Sequence, residues 1–256
     1  VNLSGVSLNG SKLDGVISGQ ITGSPNSLPT GWVLAAGYLV GPGVDLSGAN
    51  LTSANISRAS LAGVKSGNVI GSPSLPGSWR LIKGYLVGPG ANLDGADLSG
   101  ASLNGATLGT TNGIDGIRAT TSFAGANLAG TSFLGVTFGA IFSKDIIGEP
   151  ILPVGWKLVN GQIVGPNAQL QDANLANADL DGVDLSAARL WGVKSGGISG
   201  TPTLSNDWRL INGYLVGPGA DLEGADLRSA DLSWLDLLEI KGTPLLPQGW
   251  FSGNGK

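Results

Sequence analysis

The chain has no cysteine, no histidine and no methionine. The first absence excludes disulfides, thiol nucleophiles and thiolate zinc sites. The second excludes imidazole acid–base work and histidine metal ligands. Charge is sparse as well, at 12% of residues with a formal net of −4. There is no basic stripe of the kind that tracks a phosphate backbone, so nucleic acid is not an expected partner. No apolar run approaches the roughly 18 to 20 residues needed to span a bilayer, so membrane insertion is not expected. No signal-peptide pattern precedes Val1, and the first residue is not Met; a trimmed piece of a longer array, with any targeting segment outside it, is the expectation. With most catalytic templates missing their key residue, the expectation is a protein that is not an enzyme and holds no cofactor or metal.

What the chain has in excess is glycine, 44 of 256 residues, and it recurs at fixed places. Residues 91–110 read A-N-L-D-G, A-D-L-S-G, A-S-L-N-G, A-T-L-G-T, with Leu93, Leu98, Leu103 and Leu108 at the word centres. Leucines five apart scatter around a helix and alternate faces in a strand. They share an inward direction only if the chain turns by a quarter every five residues, so that each central Leu and the Ala two before it point into a square. Backbone groups are then satisfied by coils above and below, about 4.8 Å away. Counting Leu, Ile or Phe at the centre gives 24 such words, from Leu3 to Leu237. The spacing predicts one continuous all-β solenoid over 1–256. In a weak patch near 111–120, Gly113 and Arg118 fall on inward positions; an inward arginine is costly, and an irregular corner is expected there. Phe123, Leu128, Phe133 and Phe138 then continue the core.

A second kind of unit interrupts the words. V-K-S-G-N-V-I-G-S-P-S-L-P-G-S-W-R-L-I-K-G-Y-L-V-G-P-G occupies 64–90, with related copies at 16–43, 146–167, 193–219 and 241–250. Their tryptophans, Trp32, Trp79, Trp156, Trp208 and Trp250, are separated by 47, 77, 52 and 42 residues, each a multiple of five plus two. The unit is therefore the same coil with a short excursion. Pro and Ser place that excursion in the S-P-x-L-P-x-x-W part, and the unequal intervals predict that the excursions do not all share one face.

Words of the form A-(D/N)-L-x-x, as at 49–53, 96–100, 173–177, 178–182, 220–224 and 225–229, resemble the pentapeptide-repeat family. The resemblance implies a right-handed quadrilateral β-helix with four words per coil. It also implies that some members resemble DNA and protect or inhibit type II topoisomerases in the cytoplasm. The L-P-x-x-W…G-Y-L-V-G-P-G units depart from the plain family pattern.

Candidate ligand-binding residues are the five unit tryptophans together with Tyr38, Tyr85 and Tyr214, each six residues after a unit tryptophan. Such rings either fold each excursion back onto the coil or stand out as platforms for glycan or protein ligands. Asp221, Asp226, Asp231 and Asp236 recur every fifth residue, but a quarter turn separates each from the next, which makes them solvated outer positions rather than an acid–base pair. Neither the EF-hand spacing nor a calcium-binding nonapeptide is present.

Residues 1–167 hold eight Lys/Arg against seven Asp/Glu, whereas 168–240 hold four against eleven. That asymmetry favours head-to-tail contacts. The sequence thus points to a structural or interaction module that self-associates through solenoid ends or binds a protein partner. It is expected outside the cell or at its surface, with the cytoplasm as the alternative. A topoisomerase-directed DNA mimic or an aromatic-loop ligand binder is the other class of function.

Overall fold

A computed structural model of the chain describes residues 1–112, 118–233 and 235–250. Among these residues all regular structure is strand or bridge, and no helix is present to cross a membrane.

One word shows how the coil is held. In Ala91–Gly95 every backbone N–H has an acceptor. Ala91 closes a corner onto the Gly88 carbonyl at 3.1 Å, Asn92 donates to Val64 of the preceding coil at 2.9 Å, and Leu93 donates to Ser122 of the following coil at 2.9 Å. Gly95 donates to Ala124 of the following coil at 2.8 Å. The remaining N–H, on Asp94, reaches the Asn92 side-chain oxygen at 3.1 Å. This explains the word. Asn or Asp stands in second place because its short side chain reaches the N–H two residues on. Glycine stands last because the corner needs a positive φ, 67° at Gly95. Alanine and leucine are buried: Ala91, Leu93, Ala96, Leu98, Leu103 and Leu108 are all at most 1% exposed.

The chain forms two compact units, Val1–Ile151 and Leu152–Lys256. In the first, parallel bridges run Ile17–Asp45–Lys65–Asn92–Ser122 and on to Phe142. The steps Asp45–Lys65 and Ser122–Phe142 are twenty residues, or four words. Its strands are β1 (Val33–Ala35), β2 (Tyr38–Val40), β3 (Arg80–Ile82), β4 (Tyr85–Val87), β5 (Thr107–Leu108), β6 (Thr110–Asn112), β7 (Arg118–Ser122), β8 (Thr137–Phe138) and β9 (Ile141–Phe142). Phe123 and Phe133 meet edge to face at 5.8 Å and Phe133 stacks on Phe138 at 5.6 Å, so the phenylalanine words do continue the core. In the second unit, bridges run Asn174–Lys194–Asp221–Lys241, and the strands are β10 (Lys157–Val159), β11 (Gln162–Val164), β12 (Arg209–Ile211) and β13 (Tyr214–Val216).

The longer steps locate the excursions. Lys65–Asn92 and Lys194–Asp221 span 27 residues, seven more than a plain coil. The S-P-x-L-P segment does not account for them, because it stays in the ladder: Asn55 bridges Ser74 and Asp184 bridges Thr203. The excursion is instead the antiparallel hairpin that follows each tryptophan, β1–β2, β3–β4, β10–β11 and β12–β13. Pro and Ser were poor guides because the Pro carbonyl only starts a tight turn, accepting the Trp N–H at 3.1 Å in Pro29–Trp32 and 2.9 Å in Pro76–Trp79.

Two more expectations can be compared with the structure: the one-word shift between excursions is seen in the second unit alone, and the irregularity near 111–120 is present. The Trp32–Trp79 interval is one hairpin-bearing coil plus one plain coil, so the first two hairpins share a face: Ile17, Asp45 and Lys65 form one column. The longer interval to Trp156 includes a 30-residue coil, Asn92–Ser122, in which the β6–β7 hairpin adds ten residues and leaves the phase unchanged. A shift by one word does occur in the second unit, where Lys241, the counterpart of Ile70, falls in the column of Lys194. The irregularity expected near 111–120 is the antiparallel pairing of β6 with β7, where Arg118 is exposed rather than inward; Gly113 lies outside the described residues.

Each of the four hairpins after a tryptophan turns through two residues with positive φ: Ala36–Gly37, Lys83–Gly84, Asn160–Gly161 and Asn212–Gly213. That is the two-residue turn matched to strand twist, for which Asn-Gly is the preferred pair. Ala36 and Lys83, both with φ 49°, are the two mismatches, since neither side chain compensates locally in this region as Asn does. Ala36→Asn is expected to raise stability by roughly 1 kcal/mol, measured as the shift in denaturant midpoint at unchanged slope.

Candidate functional site

The aromatic units are the candidate site, and the hairpins position them. Each tryptophan stands at the open end of its hairpin, directly across from a glycine: Trp32 from Gly41, Trp79 from Gly88, Trp156 from Gly165 and Trp208 from Gly217. The ring lies flat on that glycine, and a methyl group built on any of the four would overlap the indole. Trp208 is buried, at 8% exposure, while Trp32, Trp79 and Trp156 are half-buried. Trp250, at 40%, shows more of its ring.

The tyrosines stand at the other end of the hairpins, beside the turns, and sit between coils. Tyr38 packs on Gly19, Tyr85 on Gly67 and Tyr214 on Gly196. The Tyr38 hydroxyl accepts the Asn50 N–H and the Tyr85 hydroxyl accepts the Asp97 N–H, both at 3.1 Å. On the preceding side, Val69 donates to the Gly84 carbonyl and Ile198 to the Gly213 carbonyl, both at 3.0 Å. The hairpin is thus inserted into the ladder rather than hung from it. The serine before each packed glycine completes the seat: Ser18, Ser66 and Ser195 accept the N–H groups of Leu39, Leu86 and Leu215 at 2.9, 2.8 and 3.0 Å. In the third copy Gln162 stands in place of tyrosine and Lys144 in place of the glycine, so the two positions change together in the sequence. The recurring S-G pair was the available signal for this seat.

The aromatic candidates are therefore not gathered into one site. Trp and Tyr of one hairpin stand at opposite ends of it, and each ring has one face on its own glycine. The groove beside Trp208, about 500 Å³, is open and lined by Thr201, Pro202, Leu204, Arg209 and Leu210 along with the indole.

The model for pentapeptide repeats matches the chain in eight copies, over residues 42–65, 89–112, 166–194 and 218–237. These stretches are pentapeptide repeats. Among solved structures, HetL, a pentapeptide-repeat protein involved in heterocyst differentiation regulation from the cyanobacterium Nostoc sp. strain PCC 7120, aligns at 23% identity over 82% of this chain and 91% of that one. Its TM-score is 0.20, and a superposition that loose carries no argument about shape. No curated protein matches the chain.

None of the five unit tryptophans falls in a matched range, so the aromatic units lie outside the repeat pattern itself. The carboxylates belong to the words. Asp97, Asp184, Asp221, Asp226, Asp231 and Asp236 each accept the backbone N–H two residues on, at 2.9 to 3.2 Å. The Arg228 guanidinium, bonded to Asp226 at 2.7 Å, and the turn N–H hold Asp226 down to about 2. Side-chain hydrogen bonds from Ser99, Ser186 and Ser233 lower Asp97, Asp184 and Asp231, and that from Lys157 lowers Asp179. Among the described residues no group of three or more Asp or Glu is placed to hold a metal ion.

One cluster was invisible to sequence reasoning. Lys241 Nζ lies 4.2 Å from the centre of the Trp191 ring and 2.7 Å from Asp172, while the indole N–H reaches Glu239 at 3.4 Å. Asp172 and Lys241 are 69 residues apart, so no local spacing announces the pair.

Two measurements test this reading. Trp79→Ala is expected to cost about 2 kcal/mol, the low end for large-to-small changes because the ring is half-buried. Gly88→Ala, which displaces the same ring, should lower the denaturant midpoint in the same direction. Second, a carboxylate whose pKa is lowered on folding stabilises above its unfolded value and loses that contribution as pH falls through the folded value. The denaturant midpoint is therefore expected to drop between about pH 4 and pH 2. Replacing Asp97, Asp184, Asp226 and Asp231 by Asn, whose oxygen still accepts the turn N–H, should flatten the drop.

Proposed function

We propose that the chain is a non-enzymatic structural or interaction module whose coils close as right-handed quadrilateral β-helices. The bridge spacing of twenty residues, four words to a coil, supports this form. One observation carries the functional reading: the groups able to do chemistry are engaged in holding the coil. Aspartates close their own turns, tyrosine hydroxyls accept coil N–H groups, and tryptophans lie on glycines. What such a protein offers a partner is a surface of fixed spacing.

Self-association is the partner class that the charge distribution supports. Residues 168–240 carry eleven Asp/Glu against four Lys/Arg, whereas 1–167 are nearly balanced, so unlike segments of two copies attract. Sedimentation velocity over a concentration series is expected to show mass rising with concentration at low salt and falling back at high salt, where the attraction is screened. A strict monomer throughout would remove self-association and leave a separate protein partner.

The groove of about 500 Å³ beside Trp208 supports a second reading, in which the aromatic loops take a glycan or peptide. Retention on a glycan array, abolished by Trp208→Ala in a folded variant, is the outcome that reading requires.

A further inference from the structure

Asparagine followed by glycine is the dipeptide most open to intramolecular attack, because glycine leaves its own nitrogen unshielded. Four such pairs have both residues described: Asn9–Gly10, Asn104–Gly105, Asn160–Gly161 and Asn212–Gly213. They share a sequence and differ in what holds them. At Asn104 the attacking nitrogen is engaged, since Gly105 N–H donates to the Gly135 carbonyl at 3.2 Å. The Gly105 carbonyl is gripped by the Arg80 guanidinium at 3.0 and 3.2 Å. At Asn160 and Asn212 the side chain itself is held. The Asn160 amide donates to the carbonyls of Asn174 and Ala176, both at 3.1 Å, and the Asn212 amide to that of Asp226 at 2.9 Å. Both also sit in hairpin turns fixed by strand pairing on either side.

Asn9–Gly10 has neither restraint. Both residues are exposed, and among the described residues neither the Asn9 amide nor the Gly10 N–H has a hydrogen-bond partner. The cause lies in the neighbouring coil. Where Gly95, Gly100 and Gly105 each find a carbonyl on the following coil, the stretch below Gly10 is the turn from Pro29 to Trp32, which offers none.

We propose that Asn9 is a site of spontaneous deamidation and that the other three pairs are protected by the fold. The Gly10 nitrogen attacks the Asn9 side-chain carbonyl carbon, a C–N bond closes a five-membered succinimide, and the amide nitrogen leaves as ammonia, taking up the Gly10 proton. Water then opens the ring at either carbonyl, giving aspartate or isoaspartate. Both products add a negative charge. The isoaspartate also routes the main chain through a side-chain methylene, lengthening a word whose Leu8 N–H is in register with Ser27 at 3.0 Å and whose Leu8–Ser11 turn closes at 3.0 Å.

The test is a peptide map by mass spectrometry of the native chain incubated in mildly alkaline buffer, beside the same chain in denaturant. In the native protein Asn9 is expected to convert at least roughly tenfold faster than Asn104, Asn160 or Asn212, since those need a local opening first. In denaturant the four rates should converge. Asn9→Gln should abolish the native conversion without changing the unfolding midpoint. Comparable native rates at all four pairs, or one of the other three converting first, would overturn the proposal. So would an Asn9 rate in the native protein far below its rate in denaturant.

Discussion

The structure depends on giving the buried backbone N–H groups of each five-residue word an acceptor. In Ala91–Gly95 three go to neighbouring coils through Asn92, Leu93 and Gly95, one closes the corner at Ala91, and one is taken by the Asn92 side chain. An unpaired buried N–H costs on the order of 1–3 kcal/mol, so a chain of many such words cannot leave the buried ones unsatisfied. The A-(D/N)-L-x-G composition is therefore a hydrogen-bonding scheme as much as a packing one. Alanine and leucine fill the interior, and the second and fifth positions make it possible to turn the corner.

The same constraint explains how hairpins enter the ladder. An insertion between two coils separates groups that would otherwise pair, so it has to supply partners on both sides. The β3–β4 hairpin accepts from Val69 through the Gly84 carbonyl and from Asp97 through the Tyr85 hydroxyl. Lys83 and Arg80 also donate to the Ser99 and Gly105 carbonyls. Trp79 and Gly88 then hold the hairpin flat. Seven added residues in one coil, and ten in the coil carrying β6–β7, return the chain to its column. The aromatic residues are thus legible as parts of the ladder before they are considered as anything else.

The words, their inward leucines and the absence of helix were readable from the sequence because a strict period reports directional burial. The position of the excursions was not. Pro and Ser in S-P-x-L-P mark local turns, and nothing local tells a turn within a coil from one that leaves it; the R-L-I-K-G-Y-L-V strands looked like resumed coil because hairpin and coil both alternate apolar residues. Counting in fives brings Arg118 to an inward position and so flags an irregularity, but it does not reveal that β6 and β7 pair antiparallel with Arg118 exposed. The contact of Lys241 with Trp191 and Asp172 depends on stacking distant coils, which spacing along the chain cannot reveal. The serine and glycine seats at Ser66–Gly67 and Ser195–Gly196 could have been found, since they recur with tyrosine and change at Lys144 where tyrosine is absent.

Residue-resolved native-state hydrogen exchange tests the ladder most directly. The account predicts slow exchange at the N–H groups of Leu46, Leu98, Leu175 and Leu222, each donated to a neighbouring coil at 2.8 to 3.0 Å. Fast exchange is predicted at the exposed corner N–H of Gly10. Protection confined to the four hairpins, with the central leucines exchanging as fast as Gly10, would contradict it.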